Sequence, residues 1–115
     1  MRLVESIHQA LSEVLSPGDL AIDATAGNGH DACLLARLVG ELGKIHLFDV
    51  QEVALRATED NLSRGGLLSR CSLHLLSHEL MAEALPPETK GMAKAIVFNL
   101  GYLPGGDKSI VTNGT

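Results

Sequence analysis

The chain has 115 residues, which suffice for one domain, residues 1–115, but not for two. Hydrophobic residues make up 45% and charged residues 20% of the composition, the balance of a folded protein rather than a disordered one. The net charge of −5 argues against a generic basic surface for nucleic acid. No apolar run approaches the roughly 20 residues that cross a bilayer, so we expect no membrane partner.

Charge distribution and cysteine content bear on the partner and the compartment. Residues 1–60 carry ten acids against four bases, and residues 61–115 carry four against five, so an anionic partner would meet the second half of the chain. Cys33 and Cys71 lack a CxxC spacing and are too few for a disulfide framework. Reduced thiols, and therefore a cytoplasmic location, are the simpler expectation.

Four short apolar segments, each bounded by turn residues, predict β-strands. They are residues 20–24, 44–49, 72–76 and 95–98. Helical patterns separate these segments, and strands that alternate with helices form right-handed βαβ units with a parallel sheet covered on both sides. The pattern therefore predicts an α/β domain with a doubly wound, mostly parallel sheet.

Apolar residues at helical spacing predict the helices of this domain. The helical segments are residues 3–15, 31–42, 51–63 and, more weakly, 79–85. In the second helix we expect Asp31 at the N-cap and Leu42 in the inward stripe, with Gly43 as the stop. In the third helix the apolar face is predicted from Val53, Ala54 and Ala57.

The fourth predicted strand raises a question about the edge of the sheet. Residues 95–98 are apolar on both faces, which suits the centre of a sheet rather than its edge. After residue 100 we predict only a loop. Either another copy pairs with this strand, which would give self-association, or the chain is a fragment of a longer domain, which we favour.

The loop after the first strand carries the strongest functional signal. Ligands of doubly wound sheets bind beyond the carboxyl ends of the strands. Gly27 and Gly29 allow a sharp turn and let a ligand approach backbone amides, and Asp49 closes the second strand twenty residues later. A carboxylate there can accept both hydroxyls of an adenosine ribose. The set predicts a nucleoside-type cofactor, and the ordinary alternative is a tight turn with a capping Asp31 and a solvated Asp49.

Two cofactors fit this loop. Residues 27–32 match the dinucleotide fingerprint G-x-G-x-x-A, so an NAD-binding oxidoreductase domain is one alternative. Asp23, four residues before Gly27, disfavours it, because a carboxylate repels a pyrophosphate and attracts an amino-acid ammonium group. S-adenosylmethionine carries that ammonium group together with a ribose and an adenine, and it is the cofactor we expect.

These segments resemble a known family. Residues 23–31 resemble motif I of the class I S-adenosylmethionine-dependent methyltransferases, with Thr25 where the wider superfamily has its first glycine. Residues 48–51, 77–79 and 98–108 are similar to the small bacterial family labelled putative rRNA methylase. The resemblance implies a Rossmann-like fold of which only the first four strands are present, the C-terminal third being absent. It also implies a tRNA partner, whose wobble 5-aminomethyl-2-thiouridine is methylated on the aminomethyl group.

The resemblance also implies which residues hold the cofactor. Asn28, His30 and Asp31 would line its methionine side, and Asp49 would hold the ribose. Gln51 would lie beside the adenine edge, and Ser77 and His78 would close the adenine pocket. The alternatives are that Gln51 simply starts a helix and that Ser77 caps one. The predicted cofactor-binding residues are Asp23, Gly27, Asn28, Gly29, His30, Asp31, Asp49, Gln51, Ser77 and His78.

A metal site is not expected, although Cys71, His74 and His78 have a C-x2-H-x3-H spacing. Residues 72–76 are predicted to form a strand, which sends alternate side chains to opposite faces. No fourth ligand is evident from the sequence.

Asn99 and Tyr102 are the predicted catalytic residues. They lie at the end of the fourth strand and in the Gly/Pro-rich loop after it, which resembles loosely the Asn/Asp-Pro-Pro-Tyr/Phe motif of amino-group methyltransferases. An Asn carbonyl oxygen can accept an N–H bond and align an amine lone pair without adding charge, and Tyr102 could border the target base. The alternatives are a turn capped by a buried Asn and, for the whole chain, an inactive nucleoside-binding or interaction module.

Overall fold

The computed structural model of the protein describes residues 3–24, 26–27, 30–85, 91–100 and 107–112. Within these residues the helices are α1 (Leu3–Val14), α2 (His30–Val39), α3 (Glu52–Arg64) and the short α4 (Met81–Ala84). The strands are β1 (Leu20–Asp23), β2 (Lys44–Asp49), β3 (Cys71–Leu75), β4 (Ala93–Leu100) and β5 (Asp107–Thr112). Two short 3₁₀ turns, Leu68–Arg70 and His78–Leu80, precede β3 and α4.

The strands form one sheet in the order β3-β2-β1-β4-β5. β1 to β4 run parallel, and β5 runs antiparallel to β4. Asp23 at the end of β1 lies in register with Leu47 of β2 and Val97 of β4, so β1 ends two residues before β2 and three residues before β4 at the same edge of the sheet. The predicted α/β class with a doubly wound, mostly parallel sheet is confirmed.

The main core lies between one face of the sheet and the first three helices. Right-handed crossovers from β1 to β2 and from β2 to β3 place α2 and α3 on the same face, and α1 contacts α2 there. Because successive strand residues point to opposite faces, alternate residues of each central strand enter this core. Its fully buried members include Leu11, Ala21, Leu35, Val39, Ile45, Leu47, Leu62, Ala95 and Val97.

Three expectations about the elements are wrong, each for a local reason. The edge of β4 is not open, because residues 107–112, predicted as loop, form β5 and pair with it; self-association through that edge loses its support and stays a prediction. Asp31 lies inside the first turn of α2, which begins at His30, and so is not the N-cap. The helix ends at Val39 because Gly40 adopts a φ of 68°, which leaves Leu42 in a turn and 91% exposed.

The predicted face of α3 is also wrong. Val53 is 74% exposed, and the buried residues of the helix are Leu55, Thr58 and Leu62. The predicted end of the helix is confirmed, since Gly65 is its C-cap and Gly66 follows with a φ of 70°. In the part of the chain that the structure describes, no helix is both long and apolar enough to span a membrane.

Candidate cofactor site

The predicted site residues gather at the carboxyl edge of the parallel strands. Asp23 ends β1 and Asp49 ends β2. Ser77 follows the end of β3 by two residues, and Asn99 is the last residue but one of β4. This edge, next to the loop that leads from β1 into α2, is where doubly wound sheets bind ligands. The structure therefore brings together in space residues that are far apart in the sequence.

The loop after β1 is tied to both neighbouring strands. The Ala24 backbone N–H donates to the carbonyl oxygen of Val97 in β4 at 2.8 Å, and the Ala26 N–H donates to that of Phe48 in β2 at 2.8 Å. Gly27 follows with a φ of 59°, a conformation that glycine adopts without steric cost. The loop thus extends the pairing of β1 before it turns into α2.

Asp49 holds this loop through its carboxylate. Oδ2 accepts the backbone N–H of Gly27 at 3.0 Å, and Oδ1 accepts the N–H of Gln51 at 2.9 Å. A carboxylate has about four lone-pair positions, so two bonds leave capacity for the hydroxyl groups of a ligand. Asp49 is half-buried, so its carboxylate holds the loop and is also accessible from the surface.

Thr58 holds the other side of Gly27. Its fully buried Oγ1 lies 3.0 Å from the Gly27 carbonyl oxygen and 3.0 Å from that of Ala54, and the single hydroxyl proton bonds one of them at a time. The sequence analysis missed Thr58. The signal was the helical spacing of Leu55, Thr58 and Leu62, which places the threonine on the inward face of α3.

Asp31 is joined to the first helix of the chain. Its Oδ1 lies 3.0 Å from Nε2 of His8 in α1, and the side chain of Asp31 is 6% exposed while that of His8 is 35% exposed. His8 was also missed by the sequence analysis. It lies three residues before Leu11 and seven before Leu15, both buried, and this spacing puts it on the inward face of α1.

The other acidic site residue, Asp23, is fully buried. Its carboxyl group therefore lies beneath the loop and makes no contact with solvent. His30, at the first position of α2, is exposed. With Asp31 and Asp49, the described part of the site carries three carboxylates at one edge of the sheet, a surrounding that favours a cation and disfavours a phosphate.

Gln51 and Ser77 flank Asp49 and take the structural roles that were their alternatives. Gln51 is the exposed N-cap residue of α3 and makes no side-chain cap. Ser77 Oγ accepts the backbone N–H of Glu79 at 3.2 Å and so caps a 3₁₀ turn. The Leu76 N–H donates to the Asp49 carbonyl oxygen at 2.8 Å, which brings this segment beside β2. Val50, between Asp49 and Gln51 in the sequence, is 67% exposed, so its apolar side chain is open to solvent.

Several predicted residues fall outside what is described. Asn28, Gly29 and Tyr102 lie outside the described residues, as do the side chains of His78 and Asn99. For Asn99 the backbone is described: it lies in β4 in register with Lys108 of β5.

His74 and Cys71, two residues of the C-x2-H-x3-H spacing, make contacts of another kind. His74 Nε2 lies 3.0 Å from Nδ1 of His46, and the His74 ring stacks on Phe48 with centroids 4.5 Å apart. Burial above all, then the nearby His74 and Lys44, lowers the pKa of His46 to about 4. Burial likewise lowers the pKa of His74 and raises that of the Cys71 thiol to about 11. Among the described residues no three metal-ligating side chains cluster.

Comparison with known proteins identifies the family. A family model described as "Putative rRNA methylase" matches residues 45–115. The chain is 35% identical over 119 aligned residues to the chloroplastic tRNA (mnm5s2U34)-methyltransferase of Arabidopsis thaliana, covering 96% of the chain and 43% of that protein. It is 33% identical to ribosomal RNA small subunit methyltransferase H of Dictyoglomus thermophilum, covering 89% of the chain and 36% of that protein. The chain thus spans less than half the length of these relatives.

Solved structures agree with this result. A methyltransferase from Streptococcus mutans, in complex with S-adenosylhomocysteine (SAH), superposes with a TM-score of 0.75 at 37% identity, over 91% of this chain and 55% of that one. An rRNA methylase from Clostridium thermocellum superposes with a TM-score of 0.75 at 25% identity, over 87% of this chain and 72% of that one. The fold is therefore the Rossmann-like fold of the class I methyltransferases, and the chain belongs to the putative rRNA methylase family.

Proposed function

We propose that this chain is the cofactor-binding part of an S-adenosylmethionine-dependent methyltransferase that acts on RNA. The observation that carries the proposal is the bond from the Gly27 N–H to the Asp49 carboxylate at 3.0 Å. It puts a carboxylate against the first glycine of the loop, at the height where an adenosine ribose would meet the end of β2. The relatives that are named as methyltransferases support the same cofactor chemistry.

The same bond argues against NAD. In a dinucleotide-binding loop the glycine backbone and the N-terminus of the next helix receive the pyrophosphate. Here the Gly27 N–H is already donated to Asp49, and the buried carboxylates of Asp23 and Asp31 lie on either side of the loop in the sequence. A pyrophosphate at this place would meet three negative charges, whereas an amino-acid ammonium group would be attracted.

The residues present fit S-adenosylmethionine at each of its ends. Asp49 has lone pairs left for the ribose hydroxyls. The exposed side chain of Val50 offers an apolar surface to an adenine ring, and Gln51 and Ser77 beside it offer polar groups to its edge. Asp31 supplies negative charge for the ammonium group, and we assign Asn28, His30, Gly29 and His78 to the same site from the resemblance of their positions.

The reaction we propose is transfer of a methyl group to an amine nitrogen. When bound, S-adenosylmethionine supplies an electrophilic methyl group on its sulfonium. The task of the chain is to align the lone pair of a neutral amine with that group and to exclude water. Asn99, whose backbone lies at the carboxyl end of β4 beside the loop after β1, would accept an N–H bond of the amine. Tyr102 would border the base that carries the amine.

For the acceptor we propose the aminomethyl group of a modified wobble uridine in tRNA. The support is the 35% identity to a tRNA (mnm5s2U34)-methyltransferase. Ribosomal RNA is the second candidate, which the family description and the relative from Dictyoglomus thermophilum favour. A cytoplasmic location stays a prediction, and the plant relative is named as chloroplastic.

The experiment is methyl transfer from radiolabelled S-adenosylmethionine to three RNAs. They are tRNA that carries 5-aminomethyl-2-thiouridine, the same tRNA without the modification, and small-subunit ribosomal RNA. We expect label in the first alone; label in ribosomal RNA alone would establish the second candidate instead. Asn99→Ala should reduce transfer at least a hundredfold, while Gln9→Ala, which removes an exposed amide on α1, should not. Full transfer by Asn99→Ala would contradict its assigned role.

A further inference from the structure

We propose that His8 of α1 is a positioning residue that orients the Asp31 carboxylate toward the amino-acid end of the cofactor. This inference rests on the proposed function, since it assigns a task to a residue outside the loop and the strand ends. It makes α1 part of the cofactor site rather than a helix that only covers the sheet.

The contact itself is the first argument. His8 Nε2 and Asp31 Oδ1 are 3.0 Å apart although 23 residues separate them in the sequence. Because a carboxylate oxygen accepts hydrogen bonds, Nε2 is the donor. The Asp31 side chain is only 6% exposed, and a carboxylate removed from water to this extent requires partners that replace its hydration. His8 therefore decides in part where this charge is held.

The location of Asp31 is the second argument. It lies in the first turn of α2, directly after the loop that leaves β1. A bond to one carboxylate oxygen restricts rotation about the last side-chain torsion, and so fixes the directions of the lone pairs left for a ligand. An ammonium group is recognised by such directed acceptors, whereas an adenosine moiety held at Asp49 is not affected by them.

The anchoring of α1 is the third argument. Leu11 and Leu15 follow His8 by three and seven residues, a helical spacing that puts all three on the same side. The two leucines are 0% and 6% exposed and belong to the main core. Packing thus fixes the height and rotation of α1, and with them the reach of the His8 side chain. A positioning residue needs such support, because an imidazole on a loosely held helix would not orient its partner.

The test separates the two ends of the ligand. Calorimetric titration with SAH measures binding of the whole molecule, and titration with 5′-methylthioadenosine, which lacks the amino-acid end, measures binding of the adenosine part alone. We expect His8→Leu to weaken SAH at least tenfold and to leave 5′-methylthioadenosine within twofold. His8→Gln, whose Nε2 can donate in place of the imidazole, should stay within threefold of the unaltered chain for both ligands. Gln9→Leu, at the neighbouring exposed position of α1, is the matched control.

A double variant makes the test specific to the pair. If His8 acts through Asp31, His8→Leu should weaken SAH no further in a chain that already carries Asp31→Asn. Equal loss of both ligands in His8→Leu would mean that the histidine only stabilises the fold, and unchanged binding of both would mean that it has no role; either result overturns the proposal. If the unaltered chain binds neither ligand, the proposed function fails first, and that outcome is recognised before any variant is made.

Discussion

The Asp49 carboxylate at the end of β2 accepts the backbone N–H of Gly27, in the loop after β1, at 3.0 Å. These residues are 22 positions apart in the sequence, one in the loop after β1 and the other at the end of the neighbouring parallel strand β2. The bond means that one side chain closes the glycine loop. Under the proposed function the same carboxylate would also receive the ribose hydroxyls, which would couple the fold to cofactor recognition at this residue.

Asp49→Asn tests that coupling. The amide keeps one acceptor oxygen but turns an N–H group toward either Gly27 or Gln51, whose own N–H groups need acceptors. We expect the free energy of unfolding to fall by about 1–3 kcal/mol and the Kd for SAH to rise at least tenfold. Urea unfolding and calorimetric titration measure the two effects.

The matched control for this charge change is Asp60→Asn, on the exposed surface of α3. It removes the same charge from the chain without touching the loop, so stability should stay within about 0.5 kcal/mol and SAH affinity within twofold. If Asp49→Asn behaved like Asp60→Asn, the Asp49 carboxylate would not hold the glycine loop as we describe.

Thr58→Val tests the second hold on Gly27. Valine keeps the shape of threonine but lacks the hydroxyl that lies 3.0 Å from the Gly27 carbonyl oxygen, and we expect a loss of about 1 kcal/mol. The Gly27 amide resonance should shift and its hydrogen exchange should accelerate. Thr58→Ser keeps the hydroxyl and loses a methyl group, so it should lower stability by a similar amount and leave that resonance in place. An unshifted resonance in Thr58→Val would show that the hydroxyl bonds only Ala54.

The histidine pair on the far side of the sheet predicts a pH dependence of stability. His46 is 5% exposed, and its pKa is lowered from 6.5 to about 4. Since the unfolded chain then binds more protons than the folded one between these values, the free energy of unfolding falls as the pH drops through this window. We expect His46 alone to contribute a loss of about 2 kcal/mol between pH 7.5 and pH 5.0, with His74 acting in the same direction.

Urea unfolding at the two pH values measures this loss. His46→Gln cannot take up a proton, so the difference in unfolding free energy between pH 7.5 and pH 5.0 should shrink by about half or more. A difference as large as that of the unaltered chain would mean that other groups cause the pH dependence.

The pairing of β5 with β4 is tested by amide hydrogen exchange. Residues 107–112 lie antiparallel to β4, from Leu100 opposite Asp107 to Ala95 opposite Thr112. Because β5 is an edge strand, its inward N–H groups should exchange at least tenfold slower than its outward ones, in alternation along the strand. Uniformly fast exchange over these residues would contradict the strand.

Much of the fold follows from local patterns in the sequence. Each of the four parallel strands was predicted within about two residues, because short apolar runs between turn residues permit little else. The fifth strand was not, since four of the six residues 107–112 are polar and the segment becomes a strand only through its partner β4. The face of α3 was mistaken because Val53, Ala54 and Ala57 form an apolar stripe in the sequence, whereas packing against the sheet buries Leu55, Thr58 and Leu62 instead.

The candidate site could likewise be predicted only in part from the sequence. The loop at Gly27 and the acid at Asp49 could be predicted to meet, because parallel strands end at one edge of the sheet. His8 and Thr58 could not, since each contributes through a single contact across 23 or 31 residues. Such contacts depend on where whole helices pack, which the pattern of a single segment does not contain.

Calorimetric titration of the unaltered chain with SAH, and with NAD as the competing candidate, tests the central claim most directly. We expect SAH to bind at a single site and NAD not to bind, because the carboxylates of Asp23, Asp31 and Asp49 favour an ammonium group over a pyrophosphate. Binding of NAD without binding of SAH would contradict the methyltransferase assignment and restore the dinucleotide interpretation of the glycine loop.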